Sequence, residues 1–304
     1  MTVNPHPASQ RGVDPLDLPL QLRVMRLGFR VLKGVSRRAA VRLALHLFVT
    51  PRRHRTPARE LEVLARGERF VVPQRDRKLA AWRWPAASHP TRGGRGTAFL
   101  VHGWEGRGGQ LHGFVDPLVA AGYEVIAFDH VGHGESDGKR CSLPTMRDAL
   151  KAVAEHTLED PGQGPACIVA HSMGTFATSL LLAEGWRGTR ACYLSPPDDL
   201  LVYFSRYLEL VTGSDDLLAD LIQRMEERFG ERAEEFEFRR LVETLDQPLV
   251  VLHATDDQDV PVEAGRFVAA HWPGARMVEL EGLGHRRILR DPAAVRTAVG
   301  FLTQ

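Results

Sequence analysis

The stretch that decides the fold is Cys167-Ile-Val-Ala-His-Ser172-Met-Gly-Thr175. A short apolar run ends in a serine, and helical spacing over Met173–Glu184 starts directly after it. A buried strand that passes straight into a helix needs a tight reversal at the junction. Gly174 is small enough to allow it, and Ala170 is the next smallest choice on the other side. This is the nucleophile-elbow pattern G-x-S-x-G with alanine at its first glycine. Such a turn lifts the serine Oγ clear of the backbone. It also aims the amide N–H of Met173, at the helix N-terminus, toward any oxygen bound there. A serine ahead of a helix is also an ordinary N-cap, so the motif by itself leaves both readings open.

Outward from this turn the chain alternates. Apolar runs at 98–101, 125–128, 166–170, 191–194, 249–252 and 277–280 are separated by helical spacing at 143–158, 173–184, 262–270 and 292–302. Strands apolar on both faces that alternate with helices predict an α/β fold, a mostly parallel twisted sheet covered by helices. Residues 69–73 and 79–84 read as a β-hairpin ahead of it. One interval is too long for a simple crossover. Residues 196–247 read as helices (200–211, 216–229 and 233–245), a helical cap inserted at the rim of the sheet.

Three further motifs fall at the carboxyl ends of expected strands, the edge where parallel sheets gather their reactive groups. His102-Gly-Trp104-Glu-Gly106 is a glycine-rich turn in which the amide of Trp104 is a second candidate oxyanion donor. It lacks the G-x-G-x-x-G of a dinucleotide site. His253-Ala-Thr-Asp256-Asp257-Gln-Asp259-Val-Pro261 supplies carboxylates, and Glu281-Gly-Leu-Gly-His285 a histidine. The order Ser…Asp…His is the one in which a triad is built on an α/β sheet. The loop Asp129–Gly138 reads as a sharp turn. Its Gly138-Lys139 lacks phosphate-loop spacing, and His130 and His133 lack the carboxylate spacing of a zinc site, so no metal and no cofactor is expected.

Composition bounds the rest. The 304 residues are 43% hydrophobic and 25% charged, enough to bury a sizeable core and remain soluble. Cys141, Cys167 and Cys192 are odd in number and unpaired by motif, which excludes a disulfide framework and fits a reducing compartment. Residues 1–17 are rich in proline and polar side chains, without a signal-peptide core, and no membrane span is visible. A cytoplasmic protein is expected. The net charge of +1 argues against a nucleic-acid partner, but it is unevenly spread. Residues 18–59 hold eleven basic side chains and no acid, leaving 28 bases against 38 acids, or −10, elsewhere. The chain therefore divides into a basic helical arm, 1–59, and a body, 60–304.

In the arm, Leu20, Val24, Leu27 and Val31 recur at helical steps, with Arg23, Arg26, Arg30 and Lys33 on the other side. A second helix is expected over 37–49. Such an apolar stripe is expected to pack on the body; the alternative is peripheral contact with an anionic membrane surface.

Over roughly 60–304 the chain resembles the α/β-hydrolase superfamily. The loop Phe128-Asp-His-Val-Gly-His-Gly-Glu-Ser-Asp-Gly-Lys-Arg140, with His-Ser-Met-Gly at 171–174, is similar to the monoglyceride lipase and lysophospholipase branch. The resemblance implies Ser172 as nucleophile, His285 as base, and Asp257 as the acid that orients it. The family sets the acid four residues before the proline of a Val-Pro pair, here Pro261, with Asp256 as the fallback. Trp104 and Met173 would supply the oxyanion amides. Ala170 and Thr175 depart from that branch, which commonly has glycines there, and Trp104-Glu105 replaces smaller residues.

The expectation is a serine hydrolase that cleaves small-molecule carboxylic esters through an acyl-enzyme. Serine at 172 argues against haloalkane or epoxide chemistry, which needs an alkyl-ester intermediate. An acyltransferase on the same triad and a non-catalytic binding protein on this fold are the alternatives. Tyr203, Phe204 and Tyr207 of the insertion are expected to line an apolar acyl pocket. The oligomeric state is not legible.

Overall fold

The computed structural model describes residues 19–86, 94–230 and 238–304. Residues 1–17 and the first part of the helix expected at 233–245 lie outside them. The chain divides into two compact units, one made of residues 49–200 and 231–304, the other of 1–48 and 201–230.

The larger unit is built on an eight-stranded sheet. Its strands are β1 (Glu68–Gln74), β2 (Arg77–Trp84), β3 (Thr97–Val101), β4 (Glu124–Phe128), β5 (Cys167–His171), β6 (Arg190–Leu194), β7 (Leu249–Ala254) and β8 (Arg276–Leu280). They lie in the order β1-β2-β4-β3-β5-β6-β7-β8. β1, β2 and β4 are antiparallel neighbours, and from β4 to β8 every pair is parallel. The fold is α/β, as the alternation predicts. β3, β5, β6 and β7 are apolar and buried along nearly their whole length, because helices cover both faces and leave no solvent side to alternate toward. From β3 the chain crosses to β4 on one side and returns to β5 on the other, with Val101 level with Ala170. A reversal of this kind opens a crevice at the carboxyl ends of the two strands, here at His102 and Ser172.

In chain order the helices are α1 (Leu20–Val35), α2 (Arg37–Phe48), α3 (Ala58–Leu64), α4 (Val115–Ala120), α5 (Leu143–Thr157), α6 (Met173–Glu184), α7 (Leu200–Thr212), α8 (Leu218–Phe229), α9 (Phe238–Leu241), α10 (Val262–His271), α11 (Gly284–Arg287) and α12 (Pro292–Leu302). α3 has no counterpart in the sequence reading, whose body begins with strands. It is only seven residues long and is held by buried Leu64 and by Glu60, which is buried and accepts from Arg107 Nε and Nη2 at 2.6 and 2.9 Å.

The smaller unit joins α1 and α2 of the arm to α7 and α8 of the insertion, and its first segment ends at Phe48. Residues 49–57 go with the sheet because Arg53 donates to the carbonyls of Gly132, Ser136 and Gly138 at 3.1, 2.6 and 2.9 Å. Within the smaller unit, Arg26 donates to the last-turn carbonyls of α7, Glu209 at 2.8 Å and Leu210 at 3.1 Å, where a cation also meets the negative end of the helix dipole. Lys33 pairs with Asp216 at 2.9 Å, and Arg37 with Asp216 and Asp220.

The expected packing of the stripe Leu20, Val24, Leu27 and Val31 is corrected. These residues are 72, 61, 59 and 61% exposed. α1 is apolar on two faces, and the one it packs carries Leu22, Met25, Phe29 and Leu32, of which Phe29 is fully buried. Arg26 and Lys33 lie on that inward side, where α7 and the turn after it supply carbonyls and a carboxylate. Helical spacing alone could not choose between two apolar stripes.

Phe48 of α2 meets Phe204 and Tyr207 of α7 edge-on, at centroid separations of 4.7 and 4.9 Å. The substitution Phe48→Ala removes both contacts and costs the smaller unit about 2–4 kcal/mol. Limited proteolysis should then cut within 201–230 in the variant under conditions that leave the wild type whole.

Candidate active site

The elbow is built from close approaches. Ser172 has φ +50° and ψ −125°, outside the regions an L-residue prefers. Two glycines make the room. A Cβ on Gly103 would come within 2.8 Å of Ser172 Cβ, and one on Gly174 within 2.7 Å of the carbonyl oxygen of His102. The turn is then pinned from three sides. Ser172 N–H donates to the carbonyl of Leu194 at 3.0 Å, and Thr175 donates to the carbonyl of Ser172 from its N–H (2.9 Å) and its hydroxyl (2.7 Å). Thr175, where the similar branch has glycine, thus fastens the turn. Met173 opens α6, which places its amide at the helix N-terminus next to Ser172.

At the end of β7, Asp257 is buried and engaged on both oxygens. Oδ1 accepts the amides of Asp259 and Val260 at 2.9 Å each, and Oδ2 accepts Nδ1–H of His285 at 2.8 Å. Burial works to raise its pKa. His253 with a ring nitrogen 3.6 Å away, the hydrogen bond from His285, and the amide of Val260 outweigh it and hold the carboxyl well below the usual carboxylate range. The carboxylate of Asp257 thus fixes the ring of His285 through Nδ1 and leaves Nε2 on the opposite edge. Asp256 turns elsewhere. It accepts Gly284 N–H at 2.9 Å and faces Arg287, so it shapes the loop that carries His285.

His171 joins the two halves of the site. Its Nε2–H donates to the backbone carbonyl of His285 at 3.0 Å, and the two rings lie 4.5 Å apart. The residue beside Ser172 therefore anchors the backbone of the histidine that Asp257 orients. The sequence places His171 inside the elbow motif without giving it a task, because its partner lies 114 residues away. His253 is likewise assigned no part in the sequence reading. It donates from Nε2 to the carbonyl of Val260 at 2.9 Å, which closes the loop that bears Asp257.

The turn after β3 is supported from beneath. His102 accepts His130 N–H at Nε2 (3.0 Å) and donates from Nδ1 to the carbonyl of Gly103 (2.7 Å). His133 accepts Glu105 N–H at Nε2 (3.1 Å) and donates from Nδ1 to the carbonyl of Val131 (3.0 Å). Both nitrogens of His133 are thus occupied within the loop, and none is left to ligate a metal. Trp104 stands at this turn with its ring 5.4 Å from that of His133. Asp129 ties the strand ends together, accepting Gly108 N–H and Glu135 N–H at 2.7 Å each. A side chain on Gly134 would fall on that carboxylate, which explains the glycine.

Of the pocket candidates, Phe204 and Tyr207 are turned to Phe48, and the Tyr207 hydroxyl donates to the carbonyl of Ala44 at 3.1 Å. These two side chains hold α7 to α2. Tyr203 lies under the guanidinium of Arg206, 5.7 Å from its ring centre.

The family model for serine aminopeptidase, S33, matches residues 93–198. A lysophosphatidylserine lipase (ABHD12) of Danio rerio is 30% identical over 200 residues, 59% of this chain and 46% of that protein. A monoacylglycerol lipase of Mycolicibacterium smegmatis is 34% identical over 83 residues, 26% of this chain and 30% of that protein. The chain spans about half or less of the length of these curated relatives. Among solved structures, an esterase of Pyrococcus furiosus superposes with a TM-score of 0.60 at 19% identity, covering 84% of this chain and 97% of its own. A membrane phospholipase A superposes with a TM-score of 0.59 at 15% identity, covering 91 and 96%. The fold is that of the α/β-hydrolases, and the chain resembles their lipase branch.

Two outcomes follow from the geometry. Replacing His171 with Ala frees the backbone of His285, so kcat on any ester the protein turns over should fall about 10–100-fold with KM little changed. The buried histidines also make the fold acid-sensitive. Burial holds His102, His130 and His171 well below their ordinary value of 6.5 and His133 down to about 4. Their stabilising share is present above pH 6.5 and is lost as pH falls, because the unfolded chain takes up protons that the folded chain refuses. Asp129, raised by burial to about 6, acts in the opposite sense, its share being lost as pH rises through that value. Four histidines outweigh one aspartate. Urea denaturation at about pH 7 and about pH 5 should show stability falling by roughly 1 kcal/mol or more per pH unit for each histidine in excess.

Proposed function

We propose that this chain is a carboxylic-ester hydrolase that forms an acyl-enzyme on Ser172. One observation carries the reading. The strained serine lies beside His171, which holds the backbone of His285, and the imidazole of His285 is oriented by ionised Asp257.

His285 Nε2 takes the proton of Ser172 as Oγ bonds to the ester carbonyl carbon. The carbonyl π electrons move onto oxygen, and the oxyanion is received by the amide N–H groups of Trp104 and Met173. Loss of one such donor costs ~3–4 kcal/mol of transition-state stabilisation in comparable sites. As the tetrahedral centre collapses, the C–O bond to the leaving alkoxide breaks and His285 returns the proton to it. Water then enters, gives a proton to His285 and bonds to the acyl carbon, and Ser172 leaves with that proton restored. Asp257 stays ionised throughout and stabilises the imidazolium.

Lipase names among the relatives favour an ester with an apolar acyl chain, and a substrate of that kind is met at a lipid surface. The serine aminopeptidase description of the matching family keeps an amide substrate in the test.

Nitrophenyl esters of rising acyl length, together with aminoacyl nitroanilides, should be turned over by the wild type in favour of the esters. Ser172→Ala should lower kcat by about 10⁴-fold or more, and Asp257→Asn by about 10³–10⁴-fold. A fluorophosphonate probe should label the wild type and not Ser172→Ala. Equal turnover by wild type and Ser172→Ala, or nitroanilide cleavage without ester cleavage, would overturn the proposal.

A further inference from the structure

We infer that the outward face of α1 is a docking surface for an anionic lipid bilayer. Leu20, Val24, Leu27, Val31 and Val35 succeed one another at three- and four-residue steps along one line of the helix. They are 72, 61, 59, 61 and 80% exposed. At a rise of about 1.5 Å per residue the line is roughly 22 Å long. Every member is aliphatic, so the stripe offers no hydrogen-bonding group or ring for a specific protein pocket to read. Water gains nothing from such a surface, and an acyl boundary does.

Charge selects the kind of bilayer. α1 and α2 contain no acid, and the run of residues without one extends from 18 to 59. On α1 the structure sorts the bases. Arg26 and Lys33 are turned inward and held by α7 and by Asp216 of the turn after it. Arg23 and Arg30 are exposed one turn-width to the side of the aliphatic line, and Arg38 and Arg42 of α2 are exposed beyond them. An aliphatic stripe edged by arginines and free of acids is the pattern of a helix that lies in the interface of a membrane with anionic head groups. The same side chains leave α1 two-faced, one face for the helical unit and one for the lipid. α7 and α8, packed on α1 and α2 in one unit, are carried with the docked helix.

This surface rests on burial and charge alone and does not depend on the ester reading, to which it adds the place where a lipid substrate is met. The test uses the full chain and two variants in exposed positions of α1, Val24→Ser/Leu27→Ser/Val31→Ser and Arg23→Gln/Arg30→Gln. Each is incubated with vesicles of phosphatidylcholine alone and of phosphatidylcholine and phosphatidylglycerol in equal parts, then sedimented. Wild type should partition onto the mixed vesicles at least about tenfold more than onto phosphatidylcholine, and added salt should reduce the difference. The triple serine variant should lose binding to both. The double glutamine variant should lose the preference for the anionic lipid. Hydrolysis of a soluble short-chain nitrophenyl ester should be the same in all three proteins, which separates failure of docking from failure of the catalytic reading. Equal sedimentation of wild type and triple serine variant, or no sedimentation of wild type, would overturn the inference. So would a wild-type dimer, seen by light scattering, that the serine variant converts to monomer, since a second copy would then be the occupant.

Discussion

Everything at the candidate site depends on one backbone constraint, the left-handed φ of Ser172. An L-residue pays about 1–3 kcal/mol to stay in such a conformation, so its surroundings must over-determine it. Here Gly103 and Gly174 permit backbone contacts that any side chain would block, and Leu194 and Thr175 hold the carbonyl and amide of the turn. The result points a hydroxyl out of a buried strand end, between the carboxyl ends of β3 and β5 where the chain order of the sheet reverses. The strain is local and the support is distributed.

Around that turn the molecule buries a set of polar side chains. Glu60 with Arg107, Asp129 with two amides, and the rings of His102, His133 and His171 with backbone partners lie under the loops at the sheet edge. Each replaces lost hydration with a directed hydrogen bond, which fixes loops that could not be fixed by apolar contact without closing the crevice. The histidines are held neutral by burial, so they act here as rigid hydrogen-bonding rings. His285 differs from them in that its Nδ1 proton is held by a carboxylate, that of Asp257.

The helical unit follows a different logic. Its arm supplies cations and its insertion supplies carboxylates and carbonyl ends, and the two segments, some 180 residues apart in the chain, are joined through them. Such half-exposed pairs add little stability individually, on the order of 0–1 kcal/mol, but they set the register of α1 against α7 and α8. Packing of Phe29 and of Phe48 with Phe204 and Tyr207 supplies the larger share.

The amino-acid pattern alone carries the strands, the longer helices, and the residue types and chain order of the candidate site, but not the short helices α3, α4 and α11. Periodicity reports burial on two faces, and Gly174 with Ser172 reports a turn, because these are local properties of a few consecutive residues. For the acid, the family resemblance prefers Asp257, with Asp256 as the fallback. Only tertiary structure decided what depends on partners far along the chain. Asp257 receives the hydrogen bond from His285, while Asp256 receives Gly284 N–H. His171 gained its task from a carbonyl 114 residues away. α3 was placed by a buried ion pair whose two charges look like surface residues when each is read alone. The arm turned inward the apolar face the sequence did not choose, because two stripes of equal period compete on α1 and only the carbonyls and carboxylates presented by α7, α8 and the turn between them break the tie.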